Sequence, residues 1–388
     1  MNIVRQVAII VLMNFRTLRH RFWQSLVIIA GMACVSGVLL SMLAVTEGMQ
    51  QAYQNSGDPR SLIIVSRGSV LEENSAVPRD QARIIVNAPG IARAPDGSPL
   101  ADPGFVTGLP VQLKQGGATG WIRLTTFGKA GTALRPGFHI VAGRMFRPGT
   151  HELVAGPQLR AKFAGMEVGD KVTMPDGQWP IVGMFATGDL LDGALLGDTE
   201  TVLQAMRHNS YNSIIARLAS PDIFPGLRKA LTQNPLLSVD VLRLPDWNRR
   251  VSADSAAFYH VLIYGVSIIL GIGAMLGCFN TMYDAVETRA REIATLRALG
   301  YGSFPVACSI ILEASALSVF GSLIGALIAW MLYDGVQGTL GWDFFRLTVS
   351  PAMFGMAIVW ALAVSFLGGF LPSLRAARLT VTDALRAS

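Results

Sequence analysis

Charge is scarce in this chain. Asp, Glu, Lys and Arg make up 15% of its 388 residues, where a soluble domain carries about 25%. The deficit is localised. Phe22–Val45, Ala256–Tyr283 and Leu347–Leu374 contain none of the four, and Phe304–Tyr333 contains only Glu313. Each block meets or exceeds the roughly 20 residues that cross a hydrocarbon core as a helix, so four membrane spans are expected. Cysteine is nearly absent too. The three present, Cys34, Cys278 and Cys308, all fall inside spans, which excludes a disulfide framework outside them. The segment between the first two spans must stand on its own core, and it is long enough to build one.

Signatures of chemistry are also missing. No G-x-x-x-x-G-K-[ST] occurs, so the sequence offers no P-loop. The nearest look-alike, "TTFGKAG" (Thr125–Gly131), lacks the upstream glycine and the hydroxyl after lysine. There is no H-E-x-x-H, and the five histidines are scattered. The acidic cluster Asp189, Asp192, Asp198 and Glu200 lacks the spacing of a calcium loop and reads as a solvated loop. No catalytic residue, metal ligand or cofactor of the chain's own is expected, and the chain itself is not expected to be an enzyme.

What is present is a patterned set of arginines. Arg5, Arg16, Arg19 and Arg21 precede the first span, Arg289, Arg291 and Arg297 lie between spans two and three, and Arg375, Arg378 and Arg386 follow the fourth. Asp334–Arg346, between spans three and four, holds two aspartates and one arginine. This is the positive-inside pattern. It puts both termini in the cytoplasm and Thr46–Ser255 outside, and it explains the pI of about 9.5 without nucleic acid. The first span is too long for the apolar region of a signal peptide and is expected to be an uncleaved anchor.

The expected fold is a membrane protein of four transmembrane α-helices, one plus three, with a large mixed α+β domain between spans one and two. A cytoplasmic amphipathic helix covers residues 1–21, either lying at the membrane interface or packed on its neighbours. Span one covers 22–45, the external domain 46–255 and span two 256–283. A cytoplasmic connector covers 284–303 and span three 304–333. A short external loop over 334–350, span four over 351–374 and a cytoplasmic tail over 375–388 complete the chain. Within the external domain, Ser61–Ser66 ("SLIIVS") is a strand. Asp170–Phe185 forms two strands around the Pro175-Asp176-Gly177 turn. "NSIIARL", "DIFPGLRKALTQN" and "LSVDVLRL" follow as strand, helix and strand, and the same order appears more loosely in the first half, with a helix near Arg79–Val86. Gly and Pro are dense from Pro89 to Gly120, where loops or a mobile subregion are expected.

Two features of the spans stand out. Gly273 with Gly277, and Gly321 with Gly325, form GxxxG pairs that admit close helix approach, either inside the chain or between two chains. Glu313 is an ionisable group at membrane depth, costly unless paired. A hydrogen bond to a neighbouring helix explains it better than a proton relay, since His260 alone supplies no chain of partners.

The stretch "ETRAREIATLRALGYGS" (Glu287–Ser303) interrupts two apolar blocks. Glu287 and Arg291 stand at i,i+4 in the favourable order. Val286, Ala290, Ile293 and Leu296 form a stripe, with Arg289 and Arg297 inside its arc. That untidiness suggests a helix offered to something outside the bilayer, and a solvated turn is the alternative. Gly300 and Gly302 end it.

The motif "RAREIATLRALG" resembles the signature of MacB/FtsX-type ABC transporter permeases of the MacB or DevC kind, and the resemblance runs along the chain in family order. "NFRTLRHRFWQSLVIIAGMACVSGVLLSM" is similar to the family's first span. "IVAGRMF" and "HELVAGPQLRAKFAGMEVGDKVTMPDGQWPIVGMF" resemble its periplasmic domain, and "LPSLRAARLTVTDALRAS" its C-terminal tail. The resemblance implies a permease of a bacterial inner membrane, working by mechanotransmission with a separate ATPase subunit in two copies. ATP and Mg would be bound there. In the family the connector seats in a groove of the ATPase, which by position implicates Arg291, Glu292, Ile293, Leu296, Arg297, Leu299 and Gly300. A second permease, as a homodimer, is implied as well, with a periplasmic adaptor and an outer-membrane channel in a tripartite efflux system. Unlike MacB, no ATPase domain precedes span one in this sequence. Sister readings are a Lol-type lipoprotein-release permease and an FtsX-like regulator of cell-wall hydrolases, the latter disfavoured by the size of the external domain. A non-transporting membrane sensor or scaffold is the reading from another class.

Overall fold

A computed structural model describes residues 6–7, 9–11, 13, 22–54, 58, 60–114 and 116–378. Arg5, Arg16, Arg19, Arg21 and Arg386 lie outside the described residues, as do most of the amphipathic helix expected over 1–21 and the tail beyond Arg378. The chain divides into two compact units. One comprises Met1–Glu47, Ala257–Val336 and Leu347–Ser388, the other Gly48–Ala256 and Gln337–Arg346.

Four helices of the described chain are long and apolar enough to cross a membrane: Ser25–Tyr53, Tyr259–Thr288, Ser303–Tyr333 and Pro351–Arg378. Two of them belong to helices longer than the sequence suggested. The first runs Phe22–Gln54 and the second Leu244–Thr288, so the bounds 22–45 and 256–283 fall short. The physical reason is local. "TEGMQQAYQ" after Val45 has no proline to stop the turn, and Pro245 stands in the first turn of the second helix, where a missing N–H costs nothing. Inside the membrane unit, Gly321 and Gly325 are pressed against the carbonyls of Ile29 and Ala33, leaving no room for a Cβ. Ser36 Oγ donates to Ser322 Oγ at 2.8 Å on the same seam. Span four packs on span three, with Ser365 Oγ donating to Ser315 Oγ at 3.2 Å.

The second unit is mixed α and β. Its four-stranded antiparallel sheet runs Val239–Arg243, Ser61–Ser66, Ser213–Arg217, Ala101–Gly104. Both faces are covered, which is why "SLIIVS" reads as a continuous apolar run rather than an alternating one. Leu62 and Ile64 meet Ala82 and Ile85 of helix Arg79–Val86 and Leu227 and Leu231 of helix Phe224–Thr232 in one core. Ile63 and Val65 pack with Trp247 and Val251 on the other side. A seven-stranded sheet orders Val106–Gln112, Thr119–Phe127, Ala194–Asp198, Leu153–Ala155, Gly177–Ala186 and His139–Gly143, and Lys171–Met174 pairs with Gly177–Ala186 as a hairpin.

Two expectations for this unit are corrected. The Pro/Gly-rich stretch 89–120 is not simply loop, since it contains strands Ala101–Gly104 and Val106–Gln112. Both are edge strands, the position in a sheet where proline is tolerated, so Pro103 and Pro110 fit. The segment 334–350 is likewise more than a loop. Gln337–Leu340 and Asp343–Arg346 form a hairpin whose turn holds Gly341 at φ +61°. The hairpin belongs to the external unit: Phe344 enters its core, and Trp342 lies against Gly108.

Candidate coupling surface on the connector helix

The connector is shorter than residues 284–303. The span-two helix ends at Thr288, Arg289 takes φ −101° and ψ 9°, and a separate helix covers Ala290–Ala298. Its first turn closes with Ile293 N–H donating to Arg289 O at 2.9 Å. Its end is a Schellman motif: Tyr301 N–H donates to Leu296 O at 3.1 Å and Gly300 N–H to Arg297 O at 3.0 Å. Gly300 sits at φ +92°, where a side chain would be strained, so its role is to stop the helix. Span three starts at Ser303. Glu287 and Arg291 are separated by the break at Arg289 and form no ion pair, contrary to the i,i+4 reading.

The helix has two faces. Ile293 and Ala294 are buried among Met282, Val286, Val306 and Ile310, with Leu296 half-buried beside them. Arg291, Glu292, Thr295, Ala298 and Leu299 are exposed, Leu299 at 72%. The seven residues assigned to coupling therefore divide. Arg291, Glu292, Leu299 and Gly300 stand on the free side. Ile293 belongs to the interior with the half-buried Leu296 beside it, and the half-buried Arg297 donates from Nη1 to Ala377 O at 3.3 Å.

The two arginines inside the apolar stripe have internal explanations. Arg297 reaches the end of span four. Arg289, 7% exposed, donates from Nη1 to Oε2 of Glu313, 5% exposed, at 3.1 Å. The untidy stripe is thus no evidence for an outside partner. What the helix offers outward is a charged face with one large apolar side chain beside its glycine stop.

The other sequence candidates are placed as follows. Gly321 and Gly325 pack tightly within the chain, but a Cβ at Gly273 or Gly277 would meet nothing within 4 Å. Those two line an open groove of about 370 Å³ with Gly31, Cys34 and Val35 of span one. The acidic cluster is spent locally. Asp189 and Asp192 accept from Thr187, Gly188 and Leu191, Asp198 caps helix Thr199–Ala205, and Glu200 pairs with Arg79. Among the described residues no group of three or more His, Cys, Asp or Glu could hold a metal. "TTFGKAG" does cradle an anion, but an internal one: Gly128 N–H donates to Asp102 Oδ2 at 2.9 Å.

Sequence reading missed Arg289 as the partner of Glu313, although a lone charge in a span demands one and Arg289 was the cation nearest the stripe. It also missed Asp343, which joins Arg123 at 3.1 Å and Tyr53 at 2.8 Å. The signal available was Gly341-Trp342 flanked by apolar and aromatic residues, a turn between short strands.

Four helices long and apolar enough to cross a membrane, one before and three after a mixed α/β domain in the chain, define a multi-pass membrane protein. Two family models match the chain: MacB-like periplasmic core domain over residues 25–234 and FtsX-like permease C-terminal over residues 264–381. The chain belongs to the MacB/FtsX-type ABC transporter permeases. It is 26% identical over 230 residues to the ABC transporter permease YvrN of Bacillus subtilis (strain 168), covering 59% of this chain and 52% of that protein. It is 27% identical over 144 residues to the macrolide export ATP-binding/permease protein MacB of Psychrobacter cryohalolentis, covering 37% of this chain and 22% of that protein. With the lipoprotein-releasing system transmembrane protein LolC of Xylella fastidiosa it shares 25% identity over 283 residues, covering 62% of this chain and 66% of that protein. The chain thus spans about half the length of YvrN and about a fifth of MacB. The solved extracellular domain of the noncanonic ABC-type transporter YknZ, from Gram-positive bacteria, aligns with 47% of this chain at 11% identity and a TM-score of 0.37.

Proposed function

We propose that this chain is the permease subunit of an ABC-type exporter of the inner membrane, and that it receives ATP-driven motion from a separate ATPase at helix Ala290–Ala298. The observation that carries this reading is the division of that helix. Ile293 and Ala294 anchor one face, while Arg291, Glu292, Thr295 and Leu299 are free to meet a partner. The arginine pattern supports a cytoplasmic site for this face, with both termini on the same side. ATP and Mg would be bound by two copies of the ATPase. Motion would reach the external domain by mechanotransmission along helices Phe22–Gln54 and Leu244–Thr288, each unbroken between membrane span and external segment. The open groove at Gly273 and Gly277 supports a homodimer, in which a second copy would cover it. A periplasmic adaptor and an outer-membrane channel would complete a tripartite efflux system.

The match to the lipoprotein-releasing system protein LolC supports a second reading, lipoprotein release. Both readings need the ATPase, so the first test addresses it. Affinity purification of the full chain from membranes should recover a P-loop ATPase and ATP hydrolysis. Leu299→Asp with Arg291→Glu should reduce that hydrolysis about tenfold, a loss of roughly 1.4 kcal/mol of coupling. Hydrolysis indifferent to both changes, with the ATPase still bound, would sink the coupling assignment.

A further inference from the structure

Arg289 occupies an unusual place. It caps the connector helix, a position that favours Ser, Thr, Asp or Asn, and its side chain makes no capping bond. Instead the guanidinium turns inward to Glu313, and both residues are buried. The groups around the pair are almost all apolar: Ile10, Met282, Ala285 and Val286 on one side, Val306 and Ile310 on the other, with Ser309 and Glu292 the other polar groups lining the cavity.

Apolar packing alone leaves this helix poorly held. It has nine residues, fewer than the roughly 12 at which isolated helices become even marginal in water, and two of them are buried. Contacts made by Ile293 and Ala294 are non-directional, so they resist removal of the helix better than rotation about its axis. A buried ion pair is directional, and losing either partner strands a charge. Its best-attested use is to select one arrangement among several that pack nearly as well.

We propose that Arg289 and Glu313 are positioning residues that fix the orientation of helix Ala290–Ala298 against span three, and so determine which face the coupling partner meets. This gives Glu313, the one charged residue of span three, a role, and it rests on the reading of that helix as the coupling surface. Glu313 touches no ATPase in this account. It acts through Arg289 on the exposed residues Arg291, Glu292, Thr295 and Leu299.

Hydrogen exchange on the full chain in lipid nanodiscs, without any ATPase, tests the pair directly. Arg289→Gln and Glu313→Gln should each speed amide exchange across residues 290–298 about tenfold or more, because a nine-residue helix no longer fixed in one seating frays. The charge-reversed double variant, Arg289→Glu with Glu313→Arg, should recover most of the protection. Thermal unfolding of the external unit, followed in parallel, identifies any variant that fails to fold, and Arg289→Lys then supplies the milder test, with protection near that of the wild type. Unchanged exchange in both single variants overturns the proposal, as does a double variant no better protected than either single one. ATP hydrolysis by the complex purified through this chain separates the two readings. It should fall in the single variants at unchanged KM for ATP and return in the double variant. If exchange responds as expected while hydrolysis is indifferent to every variant, the pair positions the helix and the coupling reading is what fails.

Discussion

Arg123 Nη1 lies 3.1 Å from Asp343 Oδ1, while its Nη2 lies 3.0 Å from Glu72 Oε2. Asp343 accepts a second bond, from Tyr53 Oη at 2.8 Å. Four segments meet in this network: the end of the first long helix, the turn at Glu72–Asn74, the seven-stranded sheet, and the hairpin that links spans three and four. Burial disfavours the Arg123 charge, but the Asp343 and Glu72 carboxylates outweigh it and hold the guanidinium above its ordinary pKa.

Arg123→Met should therefore cost about 1–3 kcal/mol, because it leaves two half-buried carboxylates without their cation. Asp343→Leu alone should be similarly harmful, since it strands Arg123 and the Tyr53 hydroxyl. The double variant should cost clearly less than the sum of the two, the mark of a direct interaction. Denaturant unfolding of the external unit within the full chain, followed by tryptophan fluorescence, measures all three. Additive costs would mean that the hairpin is not held by this pair.

Asp102 provides a pH test. It is 5% exposed. Burial pushes its carboxyl up from the usual 3.8 to about 6, against the opposing pull of the Gly128 and Ala130 N–H groups and of Arg135, while Asp198 adds to the rise. Between 3.8 and 6 the folded state keeps a proton that the unfolded chain has released. This contribution to stability is therefore full below 3.8, falls as pH rises through the window, and is flat above it. Asp102→Asn removes the titration. On acidification from pH 7 to pH 5 the wild type should gain about 1 kcal/mol relative to the variant. Parallel unfolding curves for the two proteins across this range would show that Asp102 does not titrate there.

The parts of this structure legible in the sequence are those where one local signal dominates. Runs without charge gave four spans, because hydrocarbon admits little else. Ser61–Ser66 was readable to the residue, since a continuous apolar run ends at a turn, and a helix was readable near Arg79–Val86. Where a signal depends on partners distant in the chain, it was misread. Arg289 looked like an intruder on an apolar stripe because its partner Glu313 lies a helix away. Pro103 and Pro110 suggested loops because nothing local says that a strand will lie at a sheet edge. Asp343 sat in what counted as a linker, and only the fold brings it to Arg123.

The two faces of the connector should respond to substitution in opposite ways. Ile293→Ala removes buried methylenes from the membrane-unit core and should cost about 2–5 kcal/mol, read as a lower midpoint of thermal unfolding in detergent. Leu299→Asp changes a side chain that is 72% exposed and should lower that midpoint by no more than about 2 °C, since an acidic group at an exposed helix C-terminus costs about 0.3–1 kcal/mol. A large drop for Leu299→Asp would mean that its side chain packs on this chain rather than facing a partner.

The two glycine pairs make the last contrast. A Cβ on Gly325 would collide with the Ala33 carbonyl, and one on Gly321 with that of Ile29, so the backbones of spans one and three must separate to admit even a methyl group. Gly325→Ala should cost about 1–3 kcal/mol by overpacking and lower the yield of folded protein in detergent. Gly277→Ala meets none of the described residues and should leave single-chain stability unchanged. Gly277→Leu fills the groove between spans one and two. If a second copy seats there, the variant should run as a monomer by light scattering in nanodiscs or mild detergent, with its unfolding midpoint preserved, while the wild type runs as a dimer. A Gly277→Leu protein that remains dimeric would place the contact between copies elsewhere and leave this groove to lipid.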